Sequence, residues 1–153
     1  MIILNSSTIK EWDVFTIKNN PITSLDLMEK AGSACTNKII KEIKNKKAFH
    51  VIANKGNNGG DGLVIARKLI KNNYKVRVSV LEFSNNESGK FLDNLTRLPN
   101  TVTTHIFTPS DLVIKKKEII IDAIFGYGLN RIVTGKFAKL IHNINQTDSK
   151  IIS

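Results

Sequence analysis

The sequence predicts a doubly wound α/β domain, a mostly parallel sheet with helices on both faces. Two observations lead there. From residue 49 onward, short apolar runs alternate with helical patterns, and those runs lack the polar alternation of a strand with one face in water, so they belong in a sheet covered on both sides. Two of the runs pass directly into glycine-bearing loops, "NKGNNGGDG" and "GYGLNR", as strand-to-ligand turns in such folds do.

The chain starts with helices. Thr8 and Glu11 of "TIKEWDVFTIKNN" stand at capping-box spacing, so a helix can begin there, with a ragged apolar stripe through Ile9, Trp12 and Phe15. After Pro21, Thr23 and Asp26 repeat that spacing. Leu25, Met28, Gly32, Cys35, Ile39 and Ile43 then recur at three and four residues, the mark of a helix lying on a core with Cys35 as a buried structural thiol. "FHVIA" is a strand. A helix follows from about Asp61, whose carboxylate can cap it. "KVRVSVL" is the next strand, "SGKFLDNLTRL" a helix, "VTTHIF" a weaker strand and "EIIIDAIF" a continuous apolar one. "GKFAKLIHNI" is a helix, and "KIIS" opens a last strand. Right-handed crossovers are expected between the parallel strands.

A chain of 153 residues, 41% hydrophobic, makes one domain spanning 1–153 with a real core. A single cysteine, Cys35, excludes an internal disulfide framework and fits a reducing compartment. The N-terminus has no basic flank before its short apolar start, and no apolar run reaches membrane-span length, so the expected location is cytoplasmic, with no membrane partner. The net charge is +10, which can signal a polyanionic partner. However, the basic residues are mostly lysine, and isoleucine and asparagine are also abundant, as codon bias in an A+T-rich genome produces. "KNKK" (44–47) and "KKK" (115–117) fall between apolar segments as solvated turns or helix ends. With four arginines and little aromatic interleaving, a nucleic-acid partner is not expected. His50, His105 and His142 lack metal-ligand spacing and read as structural. Asp111 and Glu118 read as solvated loop-end carboxylates.

Function is expected beyond the carboxyl ends of the strands, where the two glycine loops lie. "GNNGGDG" matches neither GxGxxG nor a Walker A loop. What remains is a strand-to-helix turn whose amides can meet an anion at a positive helix end. Asn57 and Asn58 add carbonyl and amide groups that a bare turn does not need. Asp122 sits in an otherwise apolar strand, Ile119, Ile120, Ile121 and Ala123, where a carboxylate is too costly to bury alone. If the two strands are neighbours, Asn58 and Asp122 could offer hard oxygen ligands to one cation.

"NKGNNGGDGLVIARKL" and "DAIFGYGLNR", preceded by "SLDLMEKAG", resemble the NAD(P)H-hydrate epimerase family, the YjeF N-terminal domain. The resemblance covers nearly the whole chain and implies a Rossmann-like fold. It also implies an isomerase that repairs NADH and NADPH hydrated on the nicotinamide ring, interconverting their R and S forms for an ADP- or ATP-dependent dehydratase. By the same resemblance, Asn57, Asn58, Gly59, Gly60 and Asp61 form one substrate loop. Gly126, Tyr127, Gly128, Leu129, Asn130, Arg131 and Ile132 form the second, and a potassium ion is held by Asn58 and Asp122. The expected assembly is a homodimer. Tyr127 and Asn54 depart from the threonine and glycine common at these places. Family members continue past a strand like "KIIS" into an aspartate, thought to be catalytic, and a proline-serine-glycine turn. This chain ends at Ser153, so it resembles the first two thirds of the domain with activity impaired and the catalytic residue unassigned. The fold also resembles the YjeF-type domain of an mRNA decapping enhancer, a dimerisation and RNA-contact module. The intact "NNGGDG" and Asp122 favour the enzyme.

Overall fold

The computed structural model describes residues 5–43, 47–84, 87–127 and 129–153. Five strands, β1 (Phe49–Ala53), β2 (Val76–Leu81), β3 (Thr103–Ile106), β4 (Ile119–Ala123) and β5 (Ile151–Ile152), form one sheet in the order β3-β2-β1-β4-β5. Every pairing is parallel. The order reverses at β1, so β1 and β4 lie side by side although the chain visits β2 and β3 between them. Their C-terminal ends therefore diverge around a crevice. The register sets Ile52 opposite both Ser79 and Asp122.

The expected doubly wound class is the observed one, and each apolar run forms its strand. Side chains alternate across the sheet. On one face Phe49, Val51 and Ala53 of β1 pack with Ile39, Leu63, Leu69 and Phe91, which come from α2 (Ser24–Glu42), α3 (Asn57–Lys71) and α4 (Gly89–Leu95). On the other, Ile52 and Ile120 meet Leu140 and Ile144 of α5 (Gly135–Asn145). The α2–α3 crossing is close because Gly32 has no side chain. A Cβ there would come within 2.5 Å of Val64 Cγ1. Glu29 of α2 also grips α3, 2.7 Å from Arg67 and 2.6 Å from Lys68. The Arg67 hydrogen bond, then the lysine, hold its pKa at about 2 against the opposing effect of burial.

Several local expectations change. Thr23 and Asp26 do form the capping box of α2, but α1 (Ser6–Asn19) starts earlier than Thr8, because Asn5 Oδ1 accepts the Thr8 amide at 2.8 Å. Cys35 is exposed, not buried. The buried line of α2 runs through Met28, Gly32, Thr36 and Ile39, and Thr36 fits it because its hydroxyl donates to Gly32 O at 2.7 Å. Glu118 is buried rather than solvated. Burial alone would raise its pKa, but hydrogen bonds from Arg77, 2.6 Å away, offset that and hold it low. Asp111 is exposed, as expected, and accepts the Thr108 amide at 2.7 Å. Of the two lysine runs, 115–117 and Lys47 are exposed, while 44–46 lie outside the described residues. Helix α1 contributes no buried residue, leaving Trp12 63% and Phe15 65% exposed. No helix among the described residues is long and apolar enough to cross a membrane.

Candidate functional site

The crevice between β1 and β4 opens into a cavity of about 790 Å³, within the range of small-molecule sites. Its first wall is the start of α3, which begins at Asn57, four residues earlier than the sequence suggested. Glycine and asparagine are poor helix formers, yet here packing dictates the helix. A Cβ on Gly59 would stand 1.6 Å from Asn54 O, and one on Gly62 would stand 2.5 Å from Ala123 Cβ. These glycines let α3 press against the chain's own backbone and against β4, so the turn answers to internal packing first.

This earlier start changes the role of Asp61. The N-cap is Gly56, which makes no side-chain cap bond, and Asp61 is the fifth residue of the helix rather than its cap. The amides of the first turn have no intrahelical acceptors and sit at the positive end of the helix. Asn57, Asn58 and Asp61 line the cavity with Asn54 and Gly56. Gly59 and Gly60 are buried behind that wall.

The second wall is the loop after β4. Gly126, Tyr127, Leu129, Asn130 and Arg131 line the same cavity. Ile132 lines a smaller adjoining one of about 250 Å³ together with Leu129 and Arg131. Gly128 lies outside the described residues. The two walls touch through Asn58, whose amide donates to Phe125 O at 2.9 Å, and a Cβ on Gly126 would meet Asn58 Cβ at 3.2 Å. The residues singled out in two distant stretches of sequence thus converge on one crevice.

An apolar floor completes the cavity, and the sequence reading missed it. Phe137 of α5 stands 4.9 Å from both Phe83 and Phe125, centroid to centroid, and all three line the space with Ser84 and Ile124. Phe83 and Ser84 follow β2 with Glu82 between, so the rule that ligands gather at strand C-termini could have found them. Nothing local marks Phe137, which arrives by the crossover of α5. Lys55, 2.6 Å from Glu82, ties the loop after β1 to the one after β2. Burial would raise the Glu82 carboxyl, but hydrogen bonds from Lys55 and His105 hold it below the usual range.

Asp122 does not line the cavity but stands beside it at the crevice. Its Oδ1 accepts the Ile124 amide at 3.0 Å and its Oδ2 the Ser153 hydroxyl at 3.3 Å. Asn58, having turned its nitrogen to Phe125, keeps its carbonyl oxygen without a hydrogen bond among the described residues. No group of three or more His, Cys, Asp or Glu that could hold a metal occurs among the described residues. A donor set of amide, carboxylate and hydroxyl oxygens fits a hard cation such as potassium and not a transition metal. Asp61 has its pKa raised to about 6, first by burial and then by Asp13, against the opposing charge of Lys90.

Comparisons with known proteins bear on the fold and the family. Relatives named NAD(P)H-hydrate epimerase include one from Limosilactobacillus reuteri, 35% identical, with 99% of this chain and 71% of the relative covered. Another, from Anaerococcus prevotii, is 36% identical, with 100% of this chain and 72% of the relative covered. These relatives are isomerases by name. A crystal structure of the yeast protein ynu0 superposes with a TM-score of 0.79 at 24% identity, covering 99% of this chain and 68% of that one, and so shares the fold. Residues 24–153, everything from α2 onward, match the family described as YjeF-related protein N-terminus, and the chain belongs to that family.

Proposed function

We propose that this chain is an NAD(P)H-hydrate epimerase, interconverting the R and S forms of hydrated NADH and NADPH in nicotinamide cofactor repair. The observation that carries the reading is one cavity with two chemistries: a polar wall of helix amides and asparagines facing a floor of Phe83, Phe125 and Phe137. A dinucleotide asks for both, donors for its diphosphate and apolar surface for its rings. Kinship to relatives bearing that name supports the same conclusion.

The ring hydrated next to its nitrogen loses hydroxyl when the nitrogen lone pair forms an iminium, and water returns to either face. The chain's part is to hold the remote diphosphate at the first turn of α3, which fixes the ring against the floor. Arg131, exposed at the mouth of both cavities, is placed to pair with phosphate. Asn58 Oδ1 and Asp122 would hold potassium, which supplies a fixed positive charge beside the substrate's anionic groups. A homodimer fits the exposed Trp12 and Phe15 of α1. An S-specific dehydratase dependent on ADP or ATP would consume the product, in the cytoplasm.

The test supplies the purified chain with the R epimer of hydrated NADH and an S-specific dehydratase, in potassium and in lithium. The expected result is a potassium-dependent gain in recovered NADH over dehydratase alone. No gain in either salt would sink the reading.

A further inference from the structure

Asp61 is the one carboxylate among the described residues that line the cavity. It differs from four other carboxylates that the fold shields. Glu29 has Arg67 and Lys68, Glu82 has Lys55, Glu118 has Arg77, and Asp122 has the Ile124 amide. Asp61 makes no hydrogen bond or ion pair among the described residues. Its charged surroundings are Asp13 of α1 and Lys90 of α4, one of each sign, so neither fixes its protonation. A half-buried carboxylate left without a partner costs stability, and the helix start gives no structural return, since Asp61 lies beyond the capping positions.

We propose that Asp61 is a proton-transfer residue of this cavity, donating to the hydroxyl that leaves the hydrated nicotinamide ring and accepting from the water that returns. The proposal rests on the epimerase reading. The carbon–oxygen bond breaks with its electron pair on oxygen, which takes the Asp61 proton and departs as water. The ring nitrogen's lone pair becomes the second bond of the iminium, leaving Asp61 as carboxylate. Water then adds to either face, the pair returns to nitrogen, and the surplus proton goes back to Asp61. Nothing is oxidised or reduced, and the group ends as it began. An acid that titrates at about 6 holds both forms in useful amounts near neutral pH, which proton transfer in both directions requires.

A residue that only hydrogen-bonds the substrate would tolerate an amide, and a proton carrier would not. Asp61→Asn is therefore expected to lower kcat roughly 100-fold or more with KM changed less than about 3-fold, and to abolish the limb of the pH profile near 6. Its melting temperature at pH 7.5 is expected to equal or exceed that of the wild type, which separates chemistry from misfolding. Independently of turnover, the ¹³C signal of the Asp61 carboxyl is expected to titrate at about 6 and to shift when hydrated NADH is added. Retention by Asp61→Asn of more than about a tenth of the wild-type kcat, an unchanged pH limb, or a carboxyl midpoint near 4 would overturn the role of Asp61 alone. Absence of turnover by the wild type would instead overturn the epimerase reading on which the role rests.

Discussion

The two walls of the crevice are built in opposite ways. The wall after β1 is set by contact: Gly59 lies against Asn54 O and Gly62 against Ala123, both too close for a side chain, and Gly60 lies against the flexible end of Met28. Eight residues of the helix it opens are buried, so it cannot move without lifting α3 off the sheet. The wall after β4 is set by very little. Tyr127 is 53% exposed, Leu129 45% and Ile132 88%, and the tie that crosses the crevice is the Asn58 bond to Phe125. One wall is packed into the protein and the other exposes its side chains to whatever enters the crevice. In such a site the packed side fixes where the ligand sits, while the exposed side contributes affinity.

The largest effect should come from breaking the first wall. Gly59→Ala places a Cβ 1.6 Å from a backbone oxygen, a clash no rotamer change can relieve. The expected cost exceeds about 4 kcal/mol, the range kept for a named structural defect, and corresponds to a melting temperature lower by roughly 10 °C or more. Gly56→Ala is the control in the same loop. Nothing lies within 4 Å of its Cβ position, so its cost should stay below about 1 kcal/mol. Equal melting temperatures for the two variants would show that the wall is not held by these contacts.

Acid should loosen the same half of the sheet from beneath. His50 of β1 is fully buried, with Nε2 2.8 Å from Ser79 Oγ and with Nδ1 4.0 Å from Glu118 Oε2 but without a hydrogen-bond partner among the described residues. Burial, then the Arg77 and Lys115 charges, depress its pKa to about 4, against the pull of Glu118. The unfolded chain therefore binds the proton first, and the stability His50 contributes is complete above pH 6.5 and lost as the pH falls toward 4. The loss across that window is about 3 kcal/mol. Asp61, whose pKa is raised to about 6, acts with the opposite sign between pH 6 and 3.8, so the comparison is with His50→Gln. Denaturant unfolding should show a steeper fall from pH 6.5 to 4.5 in the wild type than in the variant. Parallel slopes would remove His50 as the cause.

How the sequence reports on the two walls follows from the same physics. The strands were legible because continuous apolar runs such as "EIIIDAIF" have few other uses, and the convergence of Asn58 with Gly126 followed from the fold class. The start of α3 was not legible. Its first turn is "NNGG", which local propensity reads as loop, and what makes it helix is Asn54, Met28 and Ala123, distant or folded-back neighbours no local pattern names. Cys35 and Thr36 exchange places for a related reason: either fits a helical stripe, and the Gly32 carbonyl decides for the threonine. Glu118 looked solvated until Arg77, 41 residues away in sequence, reached it.

The smallest effect on stability should fall on the second wall, and it is the most discriminating. Ile132 is 88% exposed, so Ile132→Ala should change unfolding free energy by less than about 0.5 kcal/mol, as surface substitutions do. Yet Ile132 lines the smaller cavity beside Arg131, and burying its side chain against a ligand would be worth about 1–2 kcal/mol, or roughly a tenfold rise in KM. Unchanged stability with a raised KM would establish a wall completed by its ligand. A stability loss above about 1 kcal/mol would mean that the loop packs on the protein itself, and an unchanged KM would mean that the ligand never reaches it. In either case the division into a fixed and a fitting wall would fail, and Asn58 would join two surfaces of the same kind.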